Sequence, residues 1–304
     1  MSLLEIKDIN MNYHTIEGVT EALRNINFSV DEGEFISIIG PSGCGKSTLL
    51  NIISGILTPS SGEVKYNDPQ IKTNLDKMGY MFQKDYLFPW LTVRENVLLG
   101  LKIKNIYTKE NIEFADKMLE CYGLLKFKSH KPTQLSGGMR QRVALIRTLV
   151  LKPEVLLLDE PFSALDYQSR LNVTDDVYEI IKKEGKTAIM VTHDLGEAIV
   201  MSKRVIILTS RPATIKDDVL IEFKNKDATP FDKRKEPEFN VYFRRLWGEL
   251  DDGKKQWTWT LFKRSKKRKN KNYFNKNIYF NCFNCTMGNC SESWLDRSIF
   301  NIKP

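Results

Sequence analysis

Gly40-Pro41-Ser42-Gly43-Cys44-Gly45-Lys46-Ser47 stands between Phe35-Ile36-Ser37-Ile38-Ile39 and Thr48-Leu49-Leu50-Asn51-Ile52-Ile53, and the order of these three runs decides the fold. The first is short and nearly all apolar, as a strand covered on both faces would be. The last reads as a helix entered from the loop. Between them the glycines let the backbone turn so that successive N–H groups point inward, and the helix N-terminus adds its partial positive charge. Such a loop suits phosphate oxygens. The spacing G-x-x-x-x-G-K-[ST] sharpens the expectation: Lys46 reaches the β- and γ-phosphates of a nucleotide, and Ser47 supplies a hydroxyl to Mg²⁺. The plainer alternative is a Gly-rich turn before a helix, and the flanking strand and helix argue against it.

Upstream, residues 3–9 and 25–30 alternate apolar with polar side chains, the period of half-buried strands, and Asp31-Glu32-Gly33-Glu34 is a turn. An antiparallel pair is expected there. Downstream, residues 108–126 place Ile112, Ala115, Met118, Leu119 and Tyr122 at helical spacing. A helix is expected to begin near Ser136 and another to cover 172–184, with apolar strands at 155–158, 187–192 and 204–208. Strands alternating with helices imply a parallel sheet in an α/β core. The mostly helical segment of about 85–150 interrupts that alternation.

Val155-Leu156-Leu157-Leu158-Asp159-Glu160 puts two carboxylates at the C-terminal end of a buried parallel strand, where open α/β sheets bind their ligands. Asp159 is suited to hold Mg²⁺ and Glu160 to take a proton from an attacking water. Alone, a strand ending in a polar turn would be the better reading; beside the phosphate loop it is not.

Composition bounds the rest. Of 304 residues, 41% are hydrophobic and 28% charged, which excludes a fibrous or wholly disordered chain. There is no run of about 18 apolar residues, and Met1-Ser2-Leu3-Leu4-Glu5 lacks the order of a signal peptide, so a cytosolic chain is expected. The net charge of +8 is local: from Lys254 onward 12 Lys/Arg face 2 Asp/Glu, leaving 34 against 36 in residues 1–253. Any attraction to nucleic acid or anionic membrane could therefore concern only the tail, and no nucleic acid partner is expected. Three of the five cysteines (282, 285 and 290) crowd the C-terminus, but the fourth ligand of a zinc site is missing.

Leu135-Ser136-Gly137-Gly138-Met139-Arg140-Gln141-Arg142 is a helix entry with Ser136 as a good N-cap and a glycine pair that leaves backbone N–H groups unobstructed. It closely resembles the signature motif of ABC ATPases. The resemblance covers residues 3 to about 250 and implies a P-loop NTPase (ABC ATPase) core with a mixed sheet, an antiparallel β subdomain and a helical subdomain, together a nucleotide-binding domain over 1–253. It implies ATP and Mg²⁺ as cofactors. Gln83, after Tyr80-Met81-Phe82, is similar to the glutamine that joins the ATP site to the helical subdomain and senses Mg²⁺ and the attacking water. His193, in Val191-Thr192-His193-Asp194, is similar to the histidine that contacts the γ-phosphate, and Tyr13 to the aromatic that stacks on adenine. Ser163-Ala164-Leu165-Asp166 looks like the loop that crosses the dimer interface. By the same resemblance Glu160, His193 and Gln83 are catalytic. Tyr13, Gly40, Pro41, Ser42, Gly43, Cys44, Gly45, Lys46, Ser47 and Thr48 hold the nucleotide, with Ser136, Gly137, Gly138 and Asp166 facing it, and Ser47, Gln83 and Asp159 hold the metal. Two copies then meet head to tail around ATP and drive an integral membrane permease from the cytoplasmic side of the cell membrane.

Pro161-Phe162-Ser163-Ala164-Leu165-Asp166, the segment from Phe82 to Val97, Leu165-Asp166-Tyr167-Gln168-Ser169-Arg170 and Ser210-Arg211-Pro212 resemble importers of the nitrate, sulfonate and taurine group. Such importers receive cargo from an extracytoplasmic substrate-binding protein, an indirect partner. Pyrimidine-precursor importers share much of this pattern, and soluble non-transport ABC ATPases share the nucleotide motifs. Phe88, Pro89 and Trp90 fall where the family's permease docks, with a satellite hydrophobic cluster as the alternative.

Residues 254–304 remain, a basic tail rich in Lys, Asn, Ile, Tyr and Phe to which no structure is assigned. That bias is what A/T-rich DNA encodes. Moved forward by one nucleotide, with synonymous codons chosen freely, 281–304 can be reread as IVLIVLWEIVARVGWIDPYLISSP, much like the start of a permease. Two readings stand: out-of-frame translation into a neighbouring gene, or a disordered tail that meets anionic lipid through 263–271.

Overall fold

The computed structural model describes residues 2–16, 18–66, 77–225 and 227–250. The expectations for 254–304, including the cysteine trio, lie outside the described residues.

Two sheets organise the chain. Strands β1 (Ser2–Thr15), β2 (Gly18–Asp31) and β4 (Ser61–Tyr66) make an antiparallel sheet in the order β2-β1-β4. The first two run well beyond their alternating cores into a long hairpin with register shifts. The six-stranded sheet contains β3 (Phe35–Ile39), β5 (Met78–Met81), β6 (Val155–Asp159), β7 (Thr187–Val191), β8 (Arg204–Leu208) and β9 (Ile215–Leu220), in the order β5-β6-β7-β3-β8-β9. All its pairings are parallel except β8 with β9. The result is the expected α/β core with a mixed sheet and a separate antiparallel sheet.

The two-residue period of a strand sorts side chains to opposite faces. Val155 and Leu157 of β6 point to the face that buries α1 (Lys46–Ile53) and the antiparallel sheet. Leu156 and Leu158 point to the other face, where α2 (Val93–Ile103), α3 (Lys109–Cys121), α4 (Gly137–Leu149) and α5 (Tyr167–Lys183) gather. A third cluster joins Ile39, Val205 and Ile207 to α6 (Leu195–Met201) and α8 (Pro237–Leu250), with the one-turn α7 (Pro230–Lys233) nearby in sequence. Each fully buried Leu or Ile in these clusters contributes about 1.5–3 kcal/mol. The strand ends that carry Ile39, Asp159 and Val191 therefore come to one edge of a rigid sheet, and the loops that follow them are held together.

Candidate nucleotide site

The loop from Gly40 to Lys46 joins β3 to α1. Gly45, at φ +122°, precedes the helix, and a Cβ there would stand 2.9 Å from Leu23 Cδ2, so both backbone and packing demand glycine. Lys46 is buried, and its Nζ donates to the carbonyls of Gly40 at 2.9 Å and Pro41 at 3.0 Å. Neither neutral oxygen cancels its charge. From the turn after β8, Arg211 Nη2 donates to the Gly43 carbonyl at 2.6 Å, a contact that nothing in the sequence pointed to. Tyr13 reaches the first turn of α1, its hydroxyl 3.1 Å from Thr48 Oγ1.

At the first turn of α1, Ser47 Oγ donates to Asp159 Oδ1 at 3.0 Å. Burial pushes the Asp159 carboxyl above its ordinary range; the Ser47 bond opposes this and the charge of Glu160 adds to it. Tyr80, which sequence reasoning did not single out, donates to Asn51 Oδ1 at 3.0 Å and to Asp159 Oδ2 at 3.4 Å. Burial, then the nearby Asp159 charge, raise its phenol well beyond the ordinary value, so it stays a donor. The hydroxyl of Ser47 and the carboxylate of Asp159 are hard oxygen donors that fit Mg²⁺. Among the described residues no group of three or more His, Cys, Asp or Glu is placed to hold a metal alone.

Glu160 follows with φ +46°, a left-handed backbone that costs a side-chain-bearing residue on the order of 1 kcal/mol. Its N–H is secured to the Val191 carbonyl at 2.8 Å. Its carboxylate oxygen Oε2 lies 3.2 Å from His193 Nδ1 and accepts from Gln83 Nε2 at 3.2 Å. Gln83 also donates to Ser163 Oγ at 3.1 Å, and Ser163 to the Glu160 carbonyl at 3.0 Å. The His193 bond lowers the Glu160 carboxyl, and the same bond raises the His193 ring, so both favour their charged forms. Gln83, the adjacent pair Asp159-Glu160 and His193, three segments far apart in sequence, thus meet beside the loop.

Ser136, Gly137, Gly138 and Asp166 are placed otherwise. Ser136 caps α4 by accepting from Met139 N at 3.3 Å, and Asp166 caps α5 by accepting from Ser169 N at 3.0 Å. A Cβ on Gly137 would come within 2.9 Å of Leu165 Cδ2, and one on Gly138 within 2.6 Å of Val173 Cγ2. The glycine pair thus lets α4 close on α5, a packing reason that its sequence context did not reveal. None of these four residues is hydrogen-bonded to the phosphate loop among the described residues. Helix α4 also pins the segment after Gln83: Arg140 Nε donates to Asp85 Oδ2 at 2.9 Å, and Arg147 to the carbonyls of Asp85 at 2.7 Å and Tyr86 at 2.8 Å. Beyond it, Leu87 is buried whereas Trp90 is 67% exposed, with its ring centroid 5.1 Å from that of Phe88. An exposed aromatic pair is not a buried satellite cluster.

Residues 23–163 match the family described as ABC transporter. The chain is 45% identical over 256 residues to the uncharacterized ABC transporter ATP-binding protein YtlC of Bacillus subtilis, covering 84% of this chain and 98% of that one. It is 40% identical over 243 residues to the nitrate import ATP-binding protein NrtD of Synechocystis, covering 79% and 91%. Among solved structures, the dimeric MJ0796, described as a bacterial ABC transporter cassette, superimposes with a TM-score of 0.62 at 34% identity, covering 72% of this chain and 99% of that chain.

Proposed function

We propose, from the premise that this chain belongs to the ABC transporter ATP-binding family, that it hydrolyses MgATP to energise an importer for nitrate, sulfonate or taurine-like solutes. The observation that carries the ATPase reading is the convergence of Gln83, Glu160 and His193 beside a loop whose lysine donates to two neutral carbonyls.

Lys46 leaves the Gly40 and Pro41 carbonyls for the β- and γ-phosphates, backbone N–H groups of the loop receive the remaining oxygens, and Tyr13 stacks on the adenine. Ser47 and Asp159 would hold Mg²⁺, which when bound neutralises phosphate charge. A γ-phosphate draws His193 toward it and away from Glu160. The carboxylate so released accepts the proton of a water that Gln83 orients. Among the described residues Ser136 caps α4 and Gly137 and Gly138 pack on Leu165 and Val173, and we assign the three, as the resemblance to the dimeric cassette suggests, to the ATP of a second copy.

Two further points support coupling to a permease. Trp90 and Phe88 present an apolar pair at the surface, and α4 ties the preceding backbone to the signature helix. Among the described residues no helix is long and apolar enough to cross a membrane; as in the import ATP-binding relatives, attachment would be peripheral, through that permease on the cytoplasmic side. The nitrate-import relative at 40% identity supports the importer class.

Purified chain should release phosphate from ATP only with Mg²⁺ present, and Lys46→Ala should abolish both binding and release. Turnover that persists in Lys46→Ala would refute the site. Disruption of the gene should stop uptake of nitrate or of a sulfonate by cells; unchanged uptake of both would remove the proposed cargo class.

A further inference from the structure

Arg170 lies in the first turn of α5, and its side chain is 14% exposed. Its planar guanidinium reaches toward three acceptors. Nη2 donates to the Leu165 carbonyl at 3.1 Å, Nη1 donates to Asp194 Oδ2 at 3.4 Å, and Nε lies 3.9 Å from Glu197 Oε1 with no hydrogen-bond partner of its own. Leu165 belongs to the loop before α5, whereas Asp194 is the N-cap of α6 and Glu197 stands in its first turn.

On one side is the 163–166 loop. Leu165 Cδ2 occupies the space beside Gly137, and Ser163 joins Gln83 to the Glu160 carbonyl. On the other side is the turn that carries His193. Thr192 Oγ1 donates to Glu197 Oε2 at 2.7 Å and accepts from Asp194 N at 3.0 Å, while Asp194 Oδ1 accepts from Glu197 N at 3.1 Å. Thr192 and Asp194, on either side of His193, are therefore tied to each other and to Glu197, and the two acids of this network face Arg170. A fork of several donors in one plane suits this task as a lysine ammonium does not.

We propose that Arg170 is a positioning residue for ATP hydrolysis, linking the 163–166 loop to the His193 turn so that a displacement of one is passed to the other. The proposal rests on the ATPase reading above. It predicts that the loop packed on the signature helix and the histidine beside Glu160 respond together, which matters if the signature residues serve a second copy.

Arg170→Met and Arg170→Lys in the full chain, with wild type and His193→Ala as references, test it. Arg170→Met should lower kcat about tenfold with KM for ATP moved less than about twofold, the pattern of an interaction needed beyond ground-state binding. Arg170→Lys keeps the charge but not the fork, and should recover only part of that loss. Without nucleotide, the His193 ring signal in NMR spectra, assigned by its disappearance in His193→Ala, should shift in both variants while those of His14 and His130 stay. A kcat within about twofold of wild type, or an unmoved His193 signal, overturns the proposal. Should Arg170→Met unfold, Arg170→Lys decides by the same two readouts. If wild type itself neither binds nor hydrolyses ATP, the ATPase reading has failed, and the His193 signal alone still decides whether Arg170 positions that ring.

Discussion

The surroundings of Glu160 and of Ser136 differ in how much of their chemistry one chain supplies. The Glu160 carboxylate has two side-chain partners, Gln83 and His193, from separate loops, and it lies next to an Asp159 already bonded to Ser47. Ser136, by contrast, satisfies the backbone of its own helix, and the glycines after it press on Leu165 and Val173. The first region gathers an acid, a histidine and a glutamine from separate segments; the second is a capped helix start packed on the 163–166 loop and α5. A composite site has this appearance when its two halves lie on different copies.

The comparison breaks if chemistry does not depend on the first region. Glu160→Gln should cut ATP turnover roughly 100-fold or more while leaving nucleotide binding in place, read by phosphate release and by equilibrium binding of a fluorescent ATP analogue. In the second region, Gly138→Ala sets a methyl group 2.6 Å from Val173 Cγ2 and should destabilise the chain by about 1–3 kcal/mol, read by denaturant unfolding. Ser136→Ala should cost about 1 kcal/mol through the lost cap.

The Glu160–His193 pair can be sharpened by pH. The ring is raised above its ordinary 6.5 and the carboxyl lowered below its ordinary 4.5. The contribution of the pair is therefore full between about 4.5 and 6.5, lost as pH rises through the raised His193 value and as it falls through the lowered Glu160 value. In nucleotide- and Mg²⁺-free protein, Glu160→Gln should bring the His193 titration down, followed by NMR of the ring; an unchanged midpoint would separate the two residues. The smallest effect is expected from removal of residues 255–304, which should leave turnover and the unfolding midpoint where they were.

The parallel core and the phosphate loop were legible in the sequence because fully buried strands such as Val155-Leu156-Leu157-Leu158 write an apolar run and the loop a fixed spacing. Edge elements were not. Strand β5 has four residues, β4 and β9 are partly exposed, and α8 buries only Leu246 fully along its length, so none carries a strong period. Helix α2 had a readable start, since Thr92 and Glu95 form a reciprocal capping box, but its sequence drew notice for another reason. In the site, residue types told which groups have phosphate or proton chemistry. They could not tell that Tyr80 supports Asp159, that Arg211 holds Gly43, or that Arg170 joins Leu165 to Asp194, because those contacts arise from tertiary packing between segments with no shared spacing.

A half-site of this kind requires its complement in a second copy. Size-exclusion chromatography of Glu160→Gln, with and without MgATP, measures this. The expected result is a monomer that becomes a dimer only with MgATP, and that stays a monomer when Ser136→Arg is added to the same chain. A Glu160→Gln chain that binds ATP yet elutes as a monomer, or a dimer indifferent to Ser136→Arg, would contradict it.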